Sequence, residues 1–279
     1  MKTIIAATDF SSSATNAVNY AADMAMAINA ELLLLFTYEL PIAYMEIPVA
    51  ANIDDLQRIA ETEINSCRQK IHERTKNKLT VIAEVRMGTF FQELKAVCER
   101  INPYTVVMGS QGTTAGERFL FGSHTLHAMK QLAWPLVTVS PGSTFSSIKK
   151  IDLACDFEKV ATTTPIDEIK MLVNDFHAEL HVINTGRSGE YNPDIAFGTS
   201  MLESMLDSIK PECHLIYNEN TDESILRFAE KNNIDLLVVL PKRHGLLEKI
   251  THKSHSKQMV LHSHIPVMSL HQHVIKELQ

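Results

Sequence analysis

The chain has 279 residues, 45% of them hydrophobic and 21% charged, with a net charge of −7. That balance is globular and long enough for two ordinary domains, and its acidic sign excludes a general nucleic-acid binder, which needs a broad basic surface. No apolar run approaches the roughly 20 residues of a membrane span, and the run Ile4-Ile5-Ala6-Ala7 is too short for a secretory signal, so a cytoplasmic location is expected. Cys67, Cys98, Cys155 and Cys213 form no C-x-x-C pair and are expected to be buried, reduced thiols.

The predicted elements alternate. Residues 3–8 read as an apolar strand and 12–30 as an amphipathic helix, with Ser11, Ser12 and Ser13 as candidate caps. A strand follows at 31–37, then a loop with Pro41 and Pro48, then a helix near 54–74. Residues 79–86 are a strand, 91–101 a helix, 105–108 a strand, 123–132 a helix and 136–140 a strand. The polar, turn-rich stretch 140–147 is a linker. Beyond it, strands at 151–155, 179–183, 213–217, 235–240 and 267–270 again alternate with helices. Such alternation implies a parallel sheet covered on both faces, with ligands beyond the carboxyl ends of the strands where strand order switches.

The second half repeats the first. The strand ending in Asp9-Phe10 matches the one ending in Asp156-Phe157. Residues 105–108 match 236–239, and 134–139 match 265–270, both with one ungapped offset. The expected domains are 1–142 and 148–273.

The sharpest signal is Gly109, Gly112, Gly122 and Ser123, spaced G-x2-G-x9-G-S between a strand and a helix. Glycine at the end of a buried strand permits a sharp turn and close backbone approach. A Gly-Ser step opening a helix aims free N–H groups at whatever sits there, which favours a phosphate. The N–H groups of His124 and Thr125, in the same first turn, lack intrahelical partners and could serve the same anion. Met108 and Gln111 flank the glycines as further contact candidates, Met108 being equally suited to the core. Asp9 has two readings, a cap for the following helix or an acceptor for a ribose hydroxyl.

Two such units, Thr8-Asp9 after the first strand and the glycine pattern after the fourth together resemble the universal stress protein family, as a tandem two-domain member. The resemblance covers nearly the whole chain. It implies two tandem Rossmann-like α/β domains of the adenine nucleotide alpha hydrolase-like kind, each a five-stranded parallel sheet between helices. It further implies ATP, ADP or AMP as ligand, with Mg2+ as a candidate counter-ion, and a stress-response sensor or regulator. Gly109, Gly112, Gly122 and Ser123 would meet the phosphates and ribose, with Thr8 and Asp9 near the nucleoside. The family often has proline before Thr-Asp, where this chain has Ala7. By the same resemblance the halves pair through 137–140 and 267–270 as a pseudo-dimer within one chain, and two chains associate further.

The second copy lacks the loop: the offset puts Leu240, Arg243 and Lys253 at the three glycine positions and keeps only Ser254. One nucleotide site per chain is therefore expected. The basic segment that replaces the loop, Lys242-Arg243-His244 through Lys257, reads either as a solvated charged face or as a surface for an acidic partner or a second anionic ligand, and the His-x-His of His262 and His264 beyond it is by itself a weak metal signal. No H-E-x-x-H and no Cys/His set at zinc spacing occurs, so no metal ligand is expected. No P-loop lysine or nucleophile elbow is present either. Phosphoryl transfer needs metal ligands and a positioned nucleophile, so no catalytic residue is assigned. Slow ATP hydrolysis, phosphotransfer and a nucleotide-free interaction module stay open as alternatives.

Overall fold

The computed structural model describes residues 1–39, 53–110, 123–155, 157, 160–186, 193–217, 220–241, 259 and 263–271. The chain divides into two compact units, one of residues 1–128 and 136–146, the other of 129–135 and 147–279.

The first unit, taken with residues 129–131 at the end of α4, runs β1 (Thr3–Ala7), α1 (Ser12–Ala27), β2 (Glu31–Tyr38), α2 (Ile53–Arg74), β3 (Val81–Met87), α3 (Phe90–Ile101), β4 (Thr105–Gly109), α4 (Ser123–Gln131) and β5 (Leu136–Val139). Its strands lie in the order β3-β2-β1-β4-β5 and pair in parallel. Ile4, Ile5, Leu32, Leu34, Val106, Val107 and Val137 are fully buried. Consecutive residues of one strand point to opposite faces, so helices must cover both faces of this sheet.

Helix α1 buries an alanine-rich stripe, Ala14, Ala17, Ala21, Ala22 and Ala25, together with Val18, Tyr20 and Met24. Small residues let it lie close to the strand ends. It stops three residues short of the expected end: the Ile28 N–H donates to the Met24 carbonyl and Asn29 adopts a left-handed φ of 51°. The Asn16 amide of this helix donates to the carbonyls of Ser140 and Ser143, fixing the chain that leaves β5.

The second unit runs β6 (Lys150–Ala154), α5 (Val160–Thr163), α6 (Ile166–Phe176), β7 (Glu179–Gly186), α7 (Pro193–Met205), β8 (Glu212–Tyr217), α8 (Thr221–Lys231), β9 (Leu236–Val239) and β10 (Val267–Ser269). Its order, β8-β7-β6-β9-β10, is that of the first unit, again parallel throughout. The expected fold class, two tandem Rossmann-like domains with five-stranded parallel sheets, is the one observed. The copies differ after their first strand. In the first unit β1 feeds one long helix; in the second a four-residue helix and Pro165 precede the main one.

Candidate functional site

In the first unit strand order switches between β1 and β4. The chain leaves β1 towards β2 on one side, while β4 lies on the other, with Ile4 opposite Thr105, Ile5 opposite Val106 and Ala6 opposite Val107. A crevice forms outside the carboxyl ends of two such strands, because their connections depart in opposite directions. Thr8 and Asp9 follow β1 and Gly109 ends β4, so three of the residues singled out from the sequence flank this point.

The turn after β1 is built from short polar side chains. Thr8 is buried, its N–H bound to the Leu35 carbonyl, and its Oγ1 accepts the Phe10 N–H at 3.0 Å. Phe10 holds a left-handed φ of 63°, uncommon for a large residue, with its ring 4.6 Å from that of Phe36. Asp9 is exposed, and its Oδ1 accepts the Ser11 N–H at 3.0 Å. The cap of α1 is Ser11, whose Oγ accepts the Ala14 N–H at 3.1 Å. Of the two readings of Asp9, helix capping is thus corrected: the residue closes the turn before the cap. A carboxylate has further lone pairs beyond the one that this bond uses.

Gly109 has a specific reason to be glycine. A Cβ there would lie 2.9 Å from the Ser13 carbonyl oxygen, 3.0 Å from its carbon and 2.6 Å from its Oγ. The close approach is between β4 and the first turn of α1. Ser13 Oγ is itself buried, with no hydrogen-bond partner among the described residues. A buried hydroxyl without a partner is costly, and this one sits at the switch point.

Helix α4 is tied to the same place. Thr125, 3% exposed, donates from Oγ1 to the Gly109 carbonyl at 3.0 Å. Its side chain is therefore a structural clasp, and the first-turn N–H groups of Ser123, His124 and Thr125 lie at the helix end beside β4. His124 is exposed, with its ring edge-on to Phe90 at 5.0 Å. Met108 is buried within β4, in register with Thr138 of β5, as a core residue would be. Gln111, Gly112 and Gly122 lie outside the described residues, as do Asp156, Arg243, Lys253 and Ser254 of the second copy. Leu240, the counterpart of Gly109, is half-buried.

Cys98 and Cys155 are buried as expected, but Cys67 and Cys213 are only half-buried. Burial pushes the Cys98 thiol up to about 12 and the Cys213 thiol to about 11, which keeps both protonated and unreactive. Sequence reading missed one cluster. His181 of β7 and Glu212 and His214 of β8 bring their ligating atoms within 4.8 Å of one another. The signal was Glu-x-His on a strand, a spacing that puts both side chains on one face; only strand pairing adds His181. Among the described residues no helix is long and apolar enough to cross a membrane.

The universal stress protein family model matches residues 1–140 and 148–271. No protein with a curated description matches the sequence. Among solved structures, a universal stress protein from Archaeoglobus fulgidus DSM 4304 superimposes with a TM-score of 0.71 at 18% identity, over 97% of this chain and 96% of that one. A functionally unknown protein from Pseudomonas aeruginosa PAO1 gives 0.62 at 12% identity, over 97% and 92%. At these identities the likeness is one of fold, and over both units. With the family model matched twice in tandem, the chain belongs to the universal stress protein family.

Proposed function

We propose that the first unit binds ATP or a related adenine nucleotide at the β1–β4 switch point and that the protein acts as a stress-response sensor or regulator. The observation that carries this reading is the convergence of Thr8-Asp9, Gly109 and the start of α4 on that one point. The residues present fit such a ligand: a buried Ser13 hydroxyl without a partner among the described residues, an exposed carboxylate on Asp9 and the first-turn amides of α4, which have no intrahelical partner. Asp9 would accept a ribose hydroxyl and the α4 amides would face phosphate. Gly112, Gly122, Ser123 and Gln111 complete the proposed set, and Mg2+ would accompany the phosphates. The second unit, with Leu240 in place of Gly109, would not bind nucleotide in this way. The domains proposed are 1–142 and 148–273, in a cytoplasmic protein that forms a homodimer and signals to a protein partner.

A nucleotide can transmit a signal only if it binds two conformations unequally. Calorimetric titration of the full chain with ATP is expected to give one site per chain, lost in Gly122→Lys. Two equivalent sites would overturn the division of labour. An absence of binding to ATP, ADP and AMP, together with an unchanged melting temperature at saturating nucleotide, would favour the interaction module. Release of phosphate by wild type and not by Gly122→Lys would favour the hydrolytic alternative.

A further inference from the structure

We propose that the second unit carries a site for one borderline divalent transition cation, zinc in the first instance, ligated by His181 Nδ1, His214 Nε2 and a carboxylate oxygen of Glu212. The three atoms form a triangle: 3.1 Å between the two nitrogens, 3.4 Å from Glu212 Oε2 to His181 and 3.8 Å to His214. Zinc bonds of about 2.0–2.1 Å at tetrahedral angles separate neighbouring donor atoms by about 3.3–3.4 Å. The triangle has the size of one tetrahedral face, with the fourth position left for water or a further ligand.

A hydrogen bond alone accounts for this arrangement poorly. The nitrogens at 3.1 Å share one proton, yet the carboxylate oxygen, which only accepts, lies close to both. A single cation serves all three lone pairs. Imidazole nitrogens favour zinc and its neighbours over magnesium or calcium, which take oxygen.

The frame is preorganised. His181 faces Glu212 in the β7–β8 register, and His214 follows two residues on, opposite Ile183; all three share one face of the sheet. The two imidazoles lie 23° from parallel, and Phe228 of α8 packs 4.8 Å from the His214 ring. Glu212, 70% exposed, leaves a path from solvent. Among the described residues His181 Nε2 is buried with no hydrogen-bond partner, and so are both carboxylate oxygens of Asp152, which stands in register with His181 on β6. Metal on Nδ1 would fix the proton on Nε2, and a side-chain shift of Asp152 on the neighbouring strand would then supply its acceptor, the carboxylate–histidine arrangement that orients metal ligands.

The test uses the full-length chain, stripped with chelator and then titrated with Zn2+ and with Co2+. One tight equivalent is expected, with the intense visible bands of four-coordinate cobalt. His214→Ala and Glu212→Gln, each checked by circular dichroism without metal, should weaken binding more than the roughly 10- to 100-fold that outer-shell partners carry, and Asp152→Asn should fall within that range. Glu212 is exposed, so its variant decides the matter if His214→Ala fails to fold. The double variant His262→Ala/His264→Ala should bind as wild type does. Unchanged affinity in Glu212→Gln, a six-coordinate cobalt spectrum, or loss of binding only in the 262/264 variant would each overturn the site.

Discussion

Gly109→Ala separates two reasons for a glycine at the end of β4. The added methyl would meet the Ser13 Oγ, which can rotate away, and the Ser13 backbone at 2.9 and 3.0 Å, which cannot. Ser13 lies in a turn pinned by the Ser11 cap and by the buried residues Ala14, Ala17 and Val18. Relief therefore requires α1 to retreat from β4 by several tenths of an ångström and to loosen its alanine contacts with the sheet. Overpacking of this kind costs about 1–3 kcal/mol, which in a domain of this length lowers the melting temperature by about 3–10 °C. The assay is thermal unfolding of ligand-free protein, with amide exchange to locate the change. Protection should fall in α1 and be unaffected in β6, β7 and β8. If the ligand-free variant melts with wild type while ATP affinity collapses, the glycine serves ligand approach, and the packing argument is wrong.

Burial pushes the Asp152 carboxyl well above the usual carboxylate range. The folded state then holds a proton that the unfolded chain releases above a pKa of about 3.9, so this residue's contribution to stability declines as pH rises from there towards its folded pKa. In metal-free protein Asp152→Asn should remove that decline. Its advantage over wild type should grow with pH in chemical denaturation, to at most about 4 kcal/mol at pH 7; an advantage independent of pH refutes this. Ser11→Ala should destabilise the first unit by about 0.5–2 kcal/mol through loss of the α1 cap. Asp9→Asn, which keeps an acceptor for the Ser11 amide, should leave thermal stability nearly unchanged, and equal losses in both variants would contradict the cap assignment.

Much of the fold was legible because each element states its own period. The apolar runs around Ile4, Leu33, Val106 and Val137 are near-continuous, as strands buried on both faces must be, and the second copy repeats them. Helix ends were less legible. Asn29 ends α1 by adopting a left-handed conformation, and the preceding Ala25-Met26-Ala27-Ile28 carries no stop signal as strong as glycine. Asp9 and Ser11 were both credible caps on sequence, since either side chain can accept an N–H; only backbone geometry assigns Ser11.

The sequence by itself determined the tandem repeat, the strand–helix alternation and the lost glycines of the second copy, because these are local in the chain and periodic. Tertiary structure alone decided which partner makes Gly109 necessary, that Thr125 clasps its carbonyl, and that His181 meets Glu212 and His214. Each of those depends on register between segments 16 to 96 residues apart, set by sheet pairing and helix packing. No local pattern encodes such a distance.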